Sequence, residues 1–194
     1  MIYRIKIRYN MVIKHKNQRA IVLIDVQNLY HSAKNLYGAR VNFKNLLLEA
    51  VSGRNLIRAI GYVAKADEPG EASFFDALEK VGIETRIKDL QVYPDGTKKG
   101  DWDVGLAIDA VRLSSKADTV VLISGDGDFI PLVEYLKALG NQVEVMGFGR
   151  TTSTALKELA SEFVDLDSKP EYFLLKASER GVISRIPKII KFKI

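Results

Sequence analysis

The sequence predicts an α/β fold over about residues 20–167, with a mainly parallel sheet covered on both faces by helices. Two observations predict it. Short continuous apolar runs recur along the chain, as expected for parallel strands that are buried on both faces. Between these runs, apolar residues repeat at the spacing of amphipathic helices. The hydrophobic content of 47% against 27% charged residues is that of an ordinary globular domain.

The individual elements follow in chain order. Apolar runs predict strands at residues 21–24, 56–64, 119–123 and 143–148, and a further strand is expected over 83–93. Residues 94–97, Pro-Asp-Gly-Thr, are expected to form a turn. Helices are predicted near residues 74–82, 104–111 and 129–139, and through residues 156–160 with Thr152 or Ser153 as the cap. Strands that alternate with helices in this way indicate βαβ units, and therefore a Rossmann-like three-layer sandwich.

Composition excludes several classes of active site. The 194 residues include no cysteine, which excludes disulfide scaffolds, thiolate zinc sites and cysteine nucleophiles. His15 and His31 are the two histidines, so the sequence offers few residues for a catalytic site in which a histidine orients the nucleophile. No stretch approaches the ~18 consecutive apolar residues of a membrane span. Carboxylates are therefore expected to carry any chemistry.

Charge divides the chain into three parts. Residues 1–19 form a basic arm or edge strand and residues 168–194 a basic extension, with the domain at 20–167 between them. The first 20 residues hold six basic and no acidic side chains, and residues 168–194 hold seven basic and two acidic ones. The 16 basic and 22 acidic residues between them leave an acidic body. Basic arms on an acidic body predict an anionic partner, nucleic acid before a membrane surface, although solubility tails are the alternative.

Aspartates recur where the predicted strands end. Asp25 closes the first core strand, and Asp126 and Asp128 follow the strand at 119–123, while Asp103 lies just before a helix. In an open parallel sheet, ligands gather at the carboxyl ends of the strands. A lone aspartate there also serves as a helix N-cap worth about 1 kcal/mol, and that alternative is open for Asp25 and Asp103.

Several carboxylates on one edge of the sheet require a further explanation. They repel one another unless a cation compensates them. Oxygen ligands without cysteine or paired histidine suit Mg²⁺ or Mn²⁺ and argue against zinc. Asp109 lies six positions after Asp103, about 240° around the helix, and is expected to point elsewhere. Asp101 is expected to be a solvated loop charge, with a contact to the cation through water as the alternative.

Three motifs in order resemble the NYN domain, a branch of the PIN-like nucleases. They are Asp25-x-x-Asn28 after the first strand, Lys99-Gly100-x-x-Asp103-Val104 at a helix start, and Ser124-Gly125-Asp126-x-Asp128-Phe129 after a later strand. The resemblance covers residues 20–167. It implies a PIN-like fold and metal-dependent cleavage of phosphodiesters, usually in RNA. The acidic positions that it carries over are Asp25, Asp103, Asp126 and Asp128, with Asn28 and Ser124 as supporting polar groups.

The resemblance also implies a mechanism. Asp25, Asp103 and Asp126 are expected to bind Mg²⁺ or Mn²⁺, with Asp128 as a ligand or an outer partner, and a second ion at ~3.5–4 Å would complete a two-metal site. Asn28 is expected to orient the water or the phosphate.

Four residues are expected to contact substrate in addition to Asn28. Lys99 is expected to contact a phosphate, although it could instead balance the acidic cluster. Trp102 stacks on an unpaired base or packs into its own loop, and the sequence leaves both open. Arg150 and Ser124 complete the set.

The function predicted from the sequence is therefore a metal-dependent endoribonuclease acting on single-stranded RNA. The alternative is a non-catalytic RNA-binding or regulatory module with the same fold. A Rossmannoid phosphatase of small phosphoesters is disfavoured because Gln27 stands where such enzymes need a second aspartate after Asp25. The N-terminal segment lacks the apolar core of a secretion signal, which predicts a cytoplasmic protein with no membrane partner, and homo-oligomerisation is left open.

Overall fold

The computed structural model of the chain describes residues 12, 14–65, 70–89 and 101–175, and the backbone of residues 91–92 and 98–99. Most of the basic arm predicted at residues 1–19, and residues 176–194 of the predicted C-terminal extension, lie outside the described residues. So does the turn predicted at residues 94–97.

A six-stranded, all-parallel sheet forms the centre of the fold. Its strands are β1 (Arg19–Asp25), β2 (Asn55–Lys65), β3 (Glu84–Asp89), β6 (Thr119–Ile123), β7 (Gln142–Gly147) and β8 (Glu162–Asp165). They lie side by side in the order β3-β2-β1-β6-β7-β8. Two short strands, β4 (Gln91–Val92) and β5 (Lys98–Lys99), pair antiparallel with each other apart from this sheet. The strand order reverses beside β1, which opens a crevice at the carboxyl ends of β1 and β6.

Seven helices are described. They are α1 (Val26–Tyr37), α2 (Phe43–Val51), α3 (Glu71–Val81), α4 (Asp103–Ser114), α5 (Ile130–Ala138), α6 (Thr154–Leu159) and α7 (Pro170–Phe173). Single 3₁₀ turns at Gly127–Phe129 and Leu166–Ser168 follow β6 and β8.

The helices lie in two layers because the side chains of β1 alternate between the faces of the sheet. Val22 and Ile24 join the core beneath α1, α2, α3 and α7. Ile21 and Leu23 join the core beneath α4, α5 and α6. The three-layer sandwich with a parallel sheet is therefore confirmed, as are the four strands predicted from apolar runs.

The strand predicted over residues 83–93 is wrong in its extent. The parallel strand β3 ends at Asp89, and Gln91 belongs to β4, which pairs with β5 instead of continuing along β2. The apolar pattern of the sequence does not reveal this change of partner, because β3 and β4 are both extended.

A buried ion pair joins the turn before β2 to the neighbouring half of the sheet. The guanidinium of Arg54 donates to both carboxylate oxygens of Glu144 in β7, at 2.6 and 2.9 Å. Both side chains are almost completely buried. Arg54 also donates to the carbonyls of Ala50 and Val51, which end α2. Each charge is thus compensated and hydrogen-bonded, which a buried pair requires.

The beginning of the predicted C-terminal extension packs against the body. Phe173 is buried in the core with α2, and its carbonyl accepts from the backbone of Asn42. Leu174 forms a β-bridge with Val41. The division into arms and body stays a prediction, but Phe173 and Leu174 belong to the core. Among the described helices, none has the length and apolar character needed to cross a membrane.

Candidate metal centre at the carboxyl edge of the sheet

Asp25 lies at the junction between β1 and α1. Its Oδ1 accepts from the backbone amide of Asn28 at 3.0 Å, so the residue does cap α1. Its Oδ2 accepts from the hydroxyl of Ser124, at the end of β6, at 3.1 Å. Capping alone does not explain the second contact, which ties the carboxylate to the adjacent strand.

Two more hydrogen bonds fasten the loop after β6 to the start of α1. The Asn28 side-chain oxygen accepts from the backbone amide of Gly125 at 2.9 Å. The hydroxyl of Ser124 also accepts from the backbone amide of Asp126 at 3.2 Å. Asn28 and Ser124 thus hold the two loops in a fixed relation, and Ser124 is completely buried.

Three carboxylates meet beside this junction. Asp126 caps the 3₁₀ turn after β6, and its Oδ1 accepts from the backbone amide of Asp128 at 2.9 Å. Asp103 is the first residue of α4. One carboxylate oxygen from each of Asp103, Asp126 and Asp128 lies within 4.8 Å of the others. Residues that are far apart in sequence therefore lie together, as their predicted positions at the end of a strand and the start of a helix indicate.

Asp25 is coupled electrostatically to this group. Burial, together with the smaller effect of the charges of Asp103 and Asp126, raises the pKa of Asp25 from its ordinary value of 3.8 to about 6. The hydrogen bonds from Asn28 and Ser124 act in the opposite direction because they favour the charged carboxylate. Keeping the Asp25 carboxylate charged at this edge therefore costs the folded chain free energy.

The donor set fits a hard divalent cation. Asp103, Asp126 and Asp128 offer oxygens only, and the edge of the group is open, with Asp128 exposed and the other two partly buried. Carboxylate oxygens at this spacing suit Mg²⁺ or Mn²⁺. The cluster within 4.8 Å comprises these three residues, and Asp25 lies next to it; Asp25 as a ligand stays a prediction.

Trp102 is held by the protein. Its indole nitrogen donates to the carbonyl of Val63 at 2.9 Å, and its ring meets that of Tyr62 edge to face. It also covers Gly105, where an added Cβ would lie 2.5 Å from the indole. These contacts agree with the alternative in which Trp102 packs against the protein. A role for Trp102 in stacking on an unpaired base stays a prediction.

Arg150 follows β7 at the same edge of the sheet. Its guanidinium donates to Asp167 at 3.0 Å and lies 4.8 Å from the ring centre of Tyr37. The hydroxyl of Tyr37 donates to the same carboxylate at 2.6 Å. Arg150 is therefore oriented by two neighbours, and its contact with substrate stays a prediction. The side chain of Lys99 lies outside the described residues.

Two aspartates at this edge were missed by sequence reasoning. Asp165 ends β8, and its carboxylate accepts from the backbone amides of Gly149 and Asp167. Asp167 holds Arg150. The signal was available, because Asp-x-Asp after a strand is the pattern that identified the residues after β6, but β8 was not predicted as a strand.

Asp109 faces away from the cluster, as the helix geometry predicts. Its carboxylate accepts from the Tyr62 hydroxyl at 3.1 Å and lies 3.7 Å from the guanidinium of Arg86. Arg112 lies 3.9 Å away on the same helix. Asp109 therefore belongs to a charge network that links α4 to β2 and β3.

Comparison with known proteins identifies the family. The NYN domain model matches residues 19–167. The low amplitude and bright protein LabA of Synechococcus elongatus is 27% identical over 118 residues, which are 58% of this chain and 63% of LabA. The uncharacterised protein MJ0482 of Methanocaldococcus jannaschii is 35% identical over 69 residues, 34% of this chain and 29% of MJ0482. The chain thus matches less than two thirds of the length of either curated relative.

A solved structure agrees with the fold. The crystal structure of a protein of unknown function, VPA0982 of Vibrio parahaemolyticus, superposes with a TM-score of 0.76 at 33% identity. The superposition covers 84% of this chain and 100% of that one. With the family match over most of its length, the chain belongs to the NYN domain family.

Proposed function

We propose that the chain is a metal-dependent ribonuclease that hydrolyses RNA phosphodiester bonds at the carboxyl edge of its sheet. The observation that carries this proposal is the convergence of Asp103, Asp126 and Asp128, from two separate elements, to within 4.8 Å. Membership of the NYN domain family, which the PIN-like nucleases include, supports the reaction class.

The acidic residues hold the cation and position it. Asp103, Asp126 and Asp128 would be its ligands, and Asp25, at the junction of β1 and α1, would join them as the ligand predicted from the sequence. When bound, Mg²⁺ or Mn²⁺ supplies Lewis acidity, which neutralises charge on the phosphate and acidifies water. Because the oxygen of Asn28 is bound to Gly125, its Nδ2 group is the part that can donate to the water or the phosphate.

Ser124 acts through its neighbours. Its hydroxyl is fully buried between Asp25 and Asp126, so it orients both carboxylates and does not reach substrate. We therefore reassign Ser124 from substrate binding to positioning. Lys99, Trp102 and Arg150 are kept as the proposed contacts to single-stranded RNA, and the location of the protein in the cytoplasm stays a prediction.

The full chain should be assayed on labelled single-stranded RNA, single-stranded DNA and a small phosphoester, with Mg²⁺, Mn²⁺ or EDTA. We expect RNA cleavage with either cation and none in EDTA. Asp126→Asn and Asp103→Asn should each lower the rate by at least ~100-fold, as expected when a charged group at the reacting centre is lost. Asp76→Asn is the matched control, because Asp76 is exposed on α3, outside the cluster.

Metal binding is measured separately by thermal denaturation. A cation that binds only the folded chain raises the melting temperature. Millimolar Mn²⁺ should therefore stabilise the parent chain and the Asp76 control, but not Asp126→Asn. Unchanged cleavage in EDTA, or full activity of Asp126→Asn, would reject the assignment. RNA binding without cleavage under both cations would establish the non-catalytic alternative instead.

A further inference from the structure

An exposed cation lies at the acidic edge of the sheet. Arg150 follows β7, and β7 is the neighbour of β6, the strand that leads to Asp126. Neighbouring strands are about 4.8 Å apart, so the loops that follow them at the carboxyl edge start side by side. The Arg150 side chain is 54% exposed. A guanidinium in this position can bind an anion that is held at the same edge.

The loop that carries Arg150 packs against the loop that carries Asp126. The backbone amide of Ser153 donates to the carbonyl of Gly125 at 3.0 Å. The two loops are so close that a Cβ added to Gly125 would lie 3.1 Å from the carbonyl oxygen of Thr151. Since Thr151 directly follows Arg150 and Asp126 directly follows Gly125, the backbone of Arg150 is fixed beside the carboxylate cluster.

Asp167 and Tyr37 fix the direction of the Arg150 side chain. The Nη2 of Arg150 donates to Oδ1 of Asp167 at 3.0 Å, and the backbone amide of Arg150 donates to Oδ2 at 3.0 Å. The Tyr37 hydroxyl donates to Oδ1 of Asp167 at 2.6 Å, and the guanidinium lies 4.8 Å from the centre of the Tyr37 ring. Asp165 holds Asp167 in turn, because its Oδ1 accepts from the backbone amide of Asp167. An exposed arginine is thus held from two sides.

The arrangement leaves Arg150 able to bind a second anion. Burial acts to raise the pKa of Asp167, but the hydrogen bonds from Arg150 and Tyr37 outweigh burial, so this pKa lies below its ordinary value. Asp167 is therefore a charged, permanent partner. A guanidinium has five N–H donors, and the bond from Nη2 to Asp167 uses one of them. Because the side chain is already ordered, binding a phosphate costs it little further conformational entropy.

The acidic cluster creates the need for such a cation. Asp103, Asp126 and Asp128 repel the backbone of an RNA strand, which carries a negative charge on every phosphate. A divalent ion neutralises the phosphate that it contacts, whereas the neighbouring phosphates still face the carboxylates. A cation at the end of the adjacent strand compensates for this repulsion.

We propose that Arg150 binds an RNA phosphate next to the one that is cleaved, and that Tyr37 and Asp167 are positioning residues that act through Arg150. This inference rests on the proposed function, and it names the part of the site that holds the strand beyond the metal centre. The planar guanidinium matches two oxygens of one phosphate, so its orientation matters as well as its charge.

A similar ion pair at the opposite edge of the sheet provides the control. The Nη2 of Arg19 donates to Oδ1 of Asp118 at 2.8 Å, and the two side chains are 49% and 42% exposed. Arg19 begins β1 and Asp118 precedes β6, so both lie at the amino ends of the strands, away from the carboxylate cluster. Breaking this pair should leave RNA binding unchanged.

The first test measures KM and kcat of the full chain for a labelled single-stranded RNA with Mn²⁺, and the affinity for the same RNA in EDTA. Arg150→Ala should raise KM and the dissociation constant at least tenfold. Most of the loss in kcat/KM should come from KM, as expected when a contact is made equally in the ground and transition states. The slope of the salt dependence should fall by ~0.7, the value for one phosphate contact. Arg19→Ala should change neither constant by more than about twofold.

The second test uses the sign of the effect of Asp167→Asn. Removing this negative charge would by itself tighten RNA binding, whereas releasing Arg150 should weaken it, by about threefold or more. Tyr37→Phe removes one hydroxyl, keeps the ring and should also weaken binding. In the Arg150→Ala background neither substitution should weaken binding further, because both act through Arg150. Asp118→Asn is the matched control and should leave the affinity unchanged.

The outcomes separate this inference from the proposed function. A parent chain that cleaves RNA, with an Arg150→Ala variant of parental KM and affinity, would overturn the inference alone. Tighter binding by Asp167→Asn, or an equal loss from Tyr37→Phe with and without Arg150, would reject the positioning roles. A lower melting temperature with unchanged KM would assign these contacts to stability instead. A parent chain that neither binds nor cleaves RNA would reject the proposed function, and this inference with it.

Discussion

Replacing Asp25 with asparagine should stabilise the protein when no divalent cation is present. Asparagine has nearly the shape of aspartic acid but carries no charge. Its side-chain oxygen can still accept from the amide of Asn28, and its nitrogen can donate to Ser124. The substitution therefore removes the buried charge, and the repulsion from Asp103 and Asp126, while it keeps the cap of α1.

The magnitude and its pH dependence follow from the pKa of Asp25. Burial, together with the charges of Asp103 and Asp126, raises this pKa from 3.8 to about 6 in the folded chain. In the unfolded chain the carboxyl group ionises near its ordinary value, so unfolding releases a proton between pH 4 and 6, and a rising pH favours unfolding. A shift of roughly 2 pKa units corresponds to about 3 kcal/mol in the free energy of unfolding, and the parent chain loses all of this stability above pH 6.

The assay is thermal and urea denaturation of the parent chain and Asp25→Asn in EDTA, from pH 4 to 8. At pH 8 we expect a gain of about 2–3 kcal/mol, or roughly 4–10 °C in melting temperature for a chain of this size. At pH 4 the gain should fall below about 1 kcal/mol, because Asp25 is protonated in the folded parent chain. A variant that is less stable at pH 8, or a gain that does not change with pH, would refute the electrostatic reasoning.

Three further substitutions test other parts of the structure. Arg54→Met removes the bidentate partner of the buried Glu144, which keeps Gln142 and the more distant Lys14, and should lower the free energy of unfolding by about 2–4 kcal/mol, measured by urea denaturation; a loss below 1 kcal/mol would show that the pair contributes little. Gly125→Ala places a Cβ about 3.0 Å from the side chain and 3.1 Å from the Cα of Thr152, so the loop after β6 must move. RNA cleavage should fall at least tenfold, on the order of 1.4 kcal/mol in the barrier, while the far-ultraviolet spectrum is retained; unaltered cleavage would mean that the loop tolerates the shift. Removal of residues 176–194, which hold six basic side chains and one acidic one, should weaken RNA binding and flatten its salt dependence by ~0.7 in slope for each lost phosphate contact; unchanged affinity with a lower melting temperature would indicate a structural role.

The fold could be predicted because its strands and helices bury different patterns of residues. Val22 and Ile24 face one layer and Ile21 and Leu23 the other, so the strand had to be apolar throughout, and the run was visible. The convergence at the carboxyl edge could also be predicted, because parallel strands end at the same edge of a sheet. The order of the elements along the chain and the residues at which the strands end therefore predict the acidic cluster.

The missed elements are those whose sequence signals are weak. The strand β8 has four residues, all partly buried, and its pattern Glu-Phe-Val-Asp gives little periodicity. Without it, Asp165 and Asp167 could not be placed at the edge, and the hydrogen bonds that orient Arg150 were not expected. The roles of Trp102 were left open for a different reason: its packing depends on Val63 and Tyr62, and the sequence alone does not show that the β2 carbonyl meets the indole.

The hydrogen bonds around Ser124 suggest how the chain holds like charges together. Ser124 donates to Asp25 and accepts from the amide of Asp126, and Asn28 accepts from Gly125. These bonds fix the backbone of both loops through neutral groups, so the carboxylates stay close although they repel one another. A site built in this way loses little conformational entropy when a cation binds, because its ligands are already in place. The cost is the raised pKa of Asp25, and the same proximity that destabilises the metal-free chain is the source of the affinity that we propose for a divalent ion.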